Sequence, residues 1–240
     1  MPGLALRQDN PQAGPGFYGK LPARGDFMTR RLPRPFIEPW DAWLQAAISC
    51  SREQLGADWL PAYLTCPVWH FVLGPGLCGD HVAAGVLMPS VDRVGRYFPL
   101  VLAAPLPDCG NPAALAAGAS GWFDGLEALA LSALEDDFDI ERFDADLRAM
   151  GFPTAVGKMP SSGGPMAGGW RIAMLTTDPA GSYPDLLDRL LRLDSPTYSL
   201  WWTAHAEERQ RSLLVCRGLP HIGSYAALLD GCWERSDGAS

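Results

Sequence analysis

Three charged residues stand inside a stretch that is otherwise apolar, "GVLMPSVDRVGRYFPLVLAAP" over residues 85–105. Arg93 and Arg96 carry forked guanidinium donors that suit carboxylates and phosphates, and Asp92 beside them is an acceptor. A buried arginine is costly unless carboxylates or backbone carbonyls surround it, so the chain must supply partners here. Asp26 is one such supplier. In "ARGDF", Gly25 permits a turn that presents Arg24 and Asp26 close together. Arg24, Asp26, Asp92, Arg93 and Arg96 sum to three positive and two negative charges, nearly neutral. That balance favours a structural ion-pair network at a tight turn between strands, with partner recognition and an anion site as the alternatives. Ser90, after Pro89, is placed to cap a turn or to hydrogen-bond the network. Further on, "SLWWTAH" puts Trp201 and Trp202 on opposite faces of a strand. One is expected in the core, and the other is a candidate interface anchor.

Other chemistries find weaker footing. "GPGLCG" at 74–79 spells GxGxxG, but the residues after it read as a strand rather than a helix and no acid follows at the spacing of a ribose partner. A hairpin turn is the reading. The Arg24-Gly25-Asp26 tripeptide has no secretory context, and a GxSxG nucleophile elbow is missing. His70 lies in an apolar run and reads as a satisfied core histidine rather than a base. The acidic run "EDDFDIERFDAD" reads as a solvated helix face and cap, because it lacks the central glycine of a calcium loop. The Ser/Gly stretch at 161–164 lacks the ending of a phosphate loop. Six cysteines, with no CxxC pair, read as small buried hydrophobes, so neither a metal site nor a cofactor is expected.

The elements that must position these residues follow from periodicity. Phe36, Trp40, Trp43, Leu44, Ala47 and Ile48 fall at helical spacing and predict an amphipathic helix over 36–55, continued by a second helical segment into "QLGADWLPAYL". Strands are predicted at "CPVWHFVL", over 81–88, and from Tyr97 through "FPLVLAA". Helices are expected over 112–135 and 140–150, then a long exposed loop from Gly151 to Trp170. The strand "WRIAML" and the helix "SYPDLLDRLLRL", with Ser182 as cap and Pro184 in its first turn, come next. "TYSLWWTA" and "RSLLVC" predict two strands around a charged turn at 205–211, and a last helix covers 224–233. Interleaved strands and helices predict an α/β fold, a three-layer α/β/α sandwich with a mixed central sheet. Residues 1–15 read as a flexible tail, and 16–235 as one domain.

Composition bounds the partners. The chain has 240 residues, 48% apolar and 19% charged, with a net charge of −8, the profile of an ordinary globular protein. An acidic balance argues against nucleic acid, whose binding needs clustered lysine and arginine. Without a long apolar run or a signal-peptide core, no membrane insertion is expected and the location is read as cytoplasmic.

Taken in order, "GFYGKLPARGDFMTRRLP", "WDAWLQ", "CPVWHFVL", "PSVDRVGRYFPL" and "SLWWT" before "GLP" resemble the TagF family, also called ImpM, of bacterial type VI secretion. The resemblance implies a single α/β/α domain without known enzymatic activity. It also implies a post-translational repressor that binds the forkhead-associated-domain scaffold protein of the secretion machine. The family's marked positions map onto Gly19, Lys20, Pro22, Gly25, Asp26, Phe27, Trp40, Pro89, Ser90, Asp92, Arg93, Gly95, Arg96 and Phe98, with Trp201 and Trp202 later. It assigns no partner contact among them. An enzyme or nucleotide-responsive sensor using the Arg/Asp cluster is the alternative from another class.

Overall fold

Branched and aromatic residues between short turns build the centre of the molecule: β3 (Trp69–Leu73), β4 (Val82–Met88) and β5 (Leu100–Leu106) form an antiparallel meander. The computed structural model describes residues 14–154, 163–167, 169–172, 174, 178–204 and 211–234. Four further strands extend the meander. β1 (Gly16–Gly19) pairs with β5, β2 (Met28–Arg30) with β1, β8 (Ser199–Trp202) with β3, and β9 (Leu213–Cys216) with β8. The sheet has seven strands in the order β2-β1-β5-β4-β3-β8-β9.

Every pairing in it is antiparallel, which corrects the expectation of mixed strand directions. The reason lies in the connections. β1–β2, β3–β4, β4–β5 and β8–β9 are neighbours in both chain and sheet, and links this short admit only reversal. The predicted α/β sandwich stands. β1 and β2 were not predicted, because "GFYG" and "MTR" are too short to show an alternating pattern.

Alternation of side chains divides the core into two. Trp69, Phe71, Leu87, Val101 and Trp201 point to one face, covered by α1 (Arg34–Leu55) and by α7 (Tyr225–Asp230). On α1, Phe36, Trp40, Leu44 and Ala47 form the buried stripe, and the Trp40 ring stacks on Trp201 at 5.9 Å. Gly56 ends α1, a short 3-10 turn follows, and α2 (Trp59–Leu64) completes the second predicted helical segment.

On the other face, Val86, Met88, Leu100 and Leu102 meet α4 (Ser120–Ser132) and α5 (Ile140–Ala149), while Val72, Ala84 and Ala104 meet α3 (Pro112–Gly118) and Phe123 of α4. The single helix predicted over 112–135 is thus two, broken at Ala119 after the poor helix former Gly118. Asn111 caps α3 by accepting from Ala114 N at 2.9 Å.

Where a long loop was predicted, β6 (Gly163–Met166) and β7 (Gly169–Ile172) form a separate hairpin, so the strand "WRIAML" does not join the main sheet. Residues 155–162, and 205–210 of the charged turn, lie outside the described residues. α6 (Tyr183–Asp194) follows the hairpin. Its predicted cap, Ser182, makes no side-chain bond, and Asp178 instead caps the 3-10 turn ahead of the helix. At the other end of the chain, residues 1–13 lie outside the described residues, but Gly14 and Pro15 of the predicted tail are buried.

Candidate functional site

The loop between β4 and β5 folds back on itself through an isolated bridge between Val91 and Tyr97. At its tip Gly95 adopts φ +84°, a conformation costly to residues with a Cβ. The turn closes around the carboxylate of Asp92. Oδ1 accepts from Val94 N at 3.0 Å and Arg96 N at 2.8 Å, and Oδ2 accepts from Arg96 Nε at 2.6 Å and pairs with Lys20 Nζ at 2.9 Å. Burial pushes the Asp92 carboxyl up, but the backbone bond from Arg96, the Lys20 and Arg96 side chains and the Val94 amide together hold it well below the usual carboxylate range.

Sequence reasoning expected a buried arginine that needed acids around it. The structure reverses the roles. The Asp92 side chain is 0% exposed while that of Arg96 is 56% exposed, so the buried ion is the acid, and the turn folds around it. The buried cation is Lys20, also family-marked but left out of the candidate cluster. Its signal was its rarity, since the chain has only Lys20 and Lys158. Lys20 follows Gly19, whose φ of +136° and close approach to Pro99 O leave no room for a Cβ and let β1 turn the lysine under the loop.

The segment between β1 and β2 lies against this turn. Arg93 N donates to Arg24 O at 3.0 Å, the Arg96 guanidinium donates to Gly25 O, and its Nη2 lies 3.9 Å from the almost fully exposed Asp26 carboxylate. Ser90 is buried below: its Oγ donates to Lys20 O at 2.8 Å, and its backbone exchanges bonds with the Tyr63 hydroxyl at 3.0 and 2.8 Å. Burial, partly opposed by the bond to Ser90 O, raises the Tyr63 hydroxyl far above its ordinary value, so it stays neutral. Arg24, Asp26, Ser90, Asp92, Arg93 and Arg96 therefore do meet. What they present outward is a two-loop knuckle with Arg24, Asp26, Phe27, Arg93 and Val94 exposed. Phe27 packs on Tyr18 and Phe98 at 5.8 and 4.8 Å, and Lys20 Nζ lies 5.3 Å from its ring centroid. Arg93 makes no ion pair or side-chain hydrogen bond among the described residues.

Trp201 and Trp202 do not join the knuckle. They occupy opposite faces, as the strand period requires, but Trp201 is fully buried among Trp40, Trp43 and Phe71, with Nε1 donating to Ser199 Oγ at 2.9 Å. Trp202 is half-buried against His70 and Phe123. Trp201 is thereby removed as a surface anchor: the face of β8 that carries it is covered by Trp40 and Trp43 of α1.

Two further polar clusters are architectural. Arg31, the one non-glycine residue at positive φ among the described residues, buries its side chain, donating Nε to Pro15 O at 2.7 Å and Nη1 to Asp144 Oδ1 at 2.5 Å. Arg30 reaches Asp144 at 2.9 Å and Glu141 at 2.5 Å, and its hydrogen bond lowers the Glu141 pKa. This corrects the solvated reading of the acidic run, because Asp144 is a buried clamp between β2 and α5, although Asp139 does cap α5. His70 Nε2 lies 2.5 Å from Glu127 Oε2 inside the core, a histidine with a partner in the centre of the sheet. The cysteines are free thiols, and burial pushes Cys66 and Cys78 to about 12 and Cys216 to about 11. Among the described residues, no His, Cys, Asp and Glu side chains gather into a possible metal site, and no helix is long and apolar enough to cross a membrane.

The class this defines is a three-layer α/β protein with an antiparallel sheet and a charged, aromatic-backed loop pair at one end. The chain belongs to the TagF family: the TagF N-terminal domain, type VI secretion system-associated, matches residues 16–150. A crystal structure of PA0076 from Pseudomonas aeruginosa PAO1 is similar to it at 38% sequence identity and a TM-score of 0.74, over 90% of this chain and 94% of that one. No curated protein matches.

Proposed function

We propose that the protein is a non-enzymatic, post-translational negative regulator of type VI secretion, acting in the cytoplasm by docking on the forkhead-associated-domain scaffold protein. Membership of a family associated with that system supports the setting. The observation that carries the docking site is the knuckle. Asp92 receives four donors, which fixes the turn, and the fixed turn presents Arg93 and Val94 to solvent beside Arg24 and Phe27. A preorganised loop that holds a cation and apolar surface outward loses little freedom on binding. The same geometry weighs against the anion-site alternative, because Lys20 and Arg96 already direct donors at Asp92 rather than into an open pocket.

The test is capture of the scaffold from an extract of a bacterium that carries the secretion system, together with secretion measured when the chain is overproduced. Recovery of the scaffold with loss of secretion is expected. Unchanged secretion with no scaffold recovered would sink the proposal.

A further inference from the structure

An amphipathic helix on a protein surface normally turns its apolar stripe to the core. α6 does the reverse. Its most buried residue is Asp188, which accepts from the Tyr198 hydroxyl at 2.7 Å and from Arg192 Nε at 3.0 and 2.9 Å, with Leu191 packed inward beside it on Tyr198 and Leu200. Asp185 adds a bond from Asn111 Nδ2 at 2.6 Å. These polar contacts hold the helix against α3, so its outward leucines are a fixed feature. At 100° per residue, Tyr183, Leu186, Leu190 and Leu193 fall on the side opposite Asp188, and all are exposed, Tyr183 by 61% and Leu193 by 64%.

Exposed apolar residues also lie on β9. Asp194 forms a two-bond pair with Arg217 at 2.6 and 2.8 Å, which turns the Leu187 side of α6 toward β9. Val215 and Leu213 sit across from Leu200 and Trp202 on that face, and Leu213 is 68% exposed. β9 is also an edge strand. By whole-residue exposure, these residues leave on the order of 600 Å² in water. That reaches the upper end of the largest patch usual for a monomer, about 300–600 Å², and is below the roughly 800 Å² per partner of a standard stable interface.

We infer that α6 is a self-association surface, and that the occupant of its leucine stripe is the α6 of a second copy of this chain, packed antiparallel about a two-fold axis. The stripe is self-complementary. An axis level with residue 188 sets Leu186 of each copy against Leu190 of the other and Tyr183 against Leu193. This inference uses none of the knuckle residues and stands apart from the scaffold reading.

The test is light scattering after size exclusion, over concentrations from micromolar to submillimolar. The parent is expected to move from 25.9 kDa toward twice that mass as concentration rises. Leu190→Glu and Leu186→Lys should each stay at 25.9 kDa, with unchanged circular dichroism and melting because both side chains are already exposed. Mixed in equal amounts, the two variants should recover part of the double mass, since one new ion pair forms across the axis. A parent that remains monomeric throughout, or a dimer that ignores both substitutions, would overturn the inference. A dimer lost in both variants but not recovered in the mixture would overturn the antiparallel two-fold pairing.

Discussion

Asp92 and Asp144 are both buried carboxylates that receive arginine, yet they are used in opposite ways. Around Asp144, the Arg31 guanidinium is buried with the acid, and the cluster fastens the edge strand β2 to α5. Around Asp92, the buried cation is Lys20, while Arg96 is half in water and Arg93 points away altogether. One acid closes the structure inward. The other uses its donors to hold a loop still so that neighbouring side chains face out. The difference shows that a buried ion pair by itself does not mark a functional surface; what marks one here is the set of exposed groups that the buried ion positions.

Substitution separates the two uses. The largest effect is expected from Asp144→Ala, which leaves the Arg31 guanidinium buried without its carboxylate and should cost about 3–5 kcal/mol in denaturant unfolding. Asp92→Asn should lower the melting temperature by less, because the amide keeps an oxygen for the Val94 and Arg96 amides and Arg96 stays half in water, but it should loosen the turn and weaken scaffold capture. If Asp92→Asn instead matched Asp144→Ala in stability and left capture intact, the contrast between the two acids would collapse.

Acid sharpens the same contrast. Because the Asp92 carboxyl ionises more readily folded than unfolded, its contribution is complete above the ordinary carboxylate value near ~4 and fades as the pH falls below it. Unfolding followed across that range should show the parent losing stability with a steeper slope than Asp92→Asn. A variant with the parent's slope would remove Asp92 as the cause. Arg96→Ala should be milder, within about 1 kcal/mol, since its half-exposed pair is weakened by solvent and the Asp92 carboxylate keeps its backbone donors and Lys20.

How much of this was legible beforehand depends on the sequence distance of each contact. The charged turn was visible because Asp92, Gly95 and Arg96 act within one loop. Its burial was read backwards, since the lysine under it comes from β1, which showed no strand pattern. The clamp was invisible: Arg31 and Asp144 are 113 residues apart, and charge spacing along "DIERFDAD" alone looks like a solvated helix. Trp201 and Trp202 were placed on opposite faces by the two-residue period, but no local signal said which face α1 would cover. For α6 the sequence marked the helix but said nothing of which face turns inward, because Tyr198 and Asn111, which hold the polar face, lie outside the helix.

The most direct test of the central claim is a calorimetric titration of the purified chain into the purified forkhead-associated-domain scaffold, comparing the parent with an Arg93→Glu, Val94→Asp variant. Both side chains are exposed, so the variant should melt within about 0.5 kcal/mol of the parent. A loss of tenfold or more in affinity, about 1.4 kcal/mol, is the predicted result. Equal affinity in a folded variant would contradict the claim that the knuckle is the docking surface.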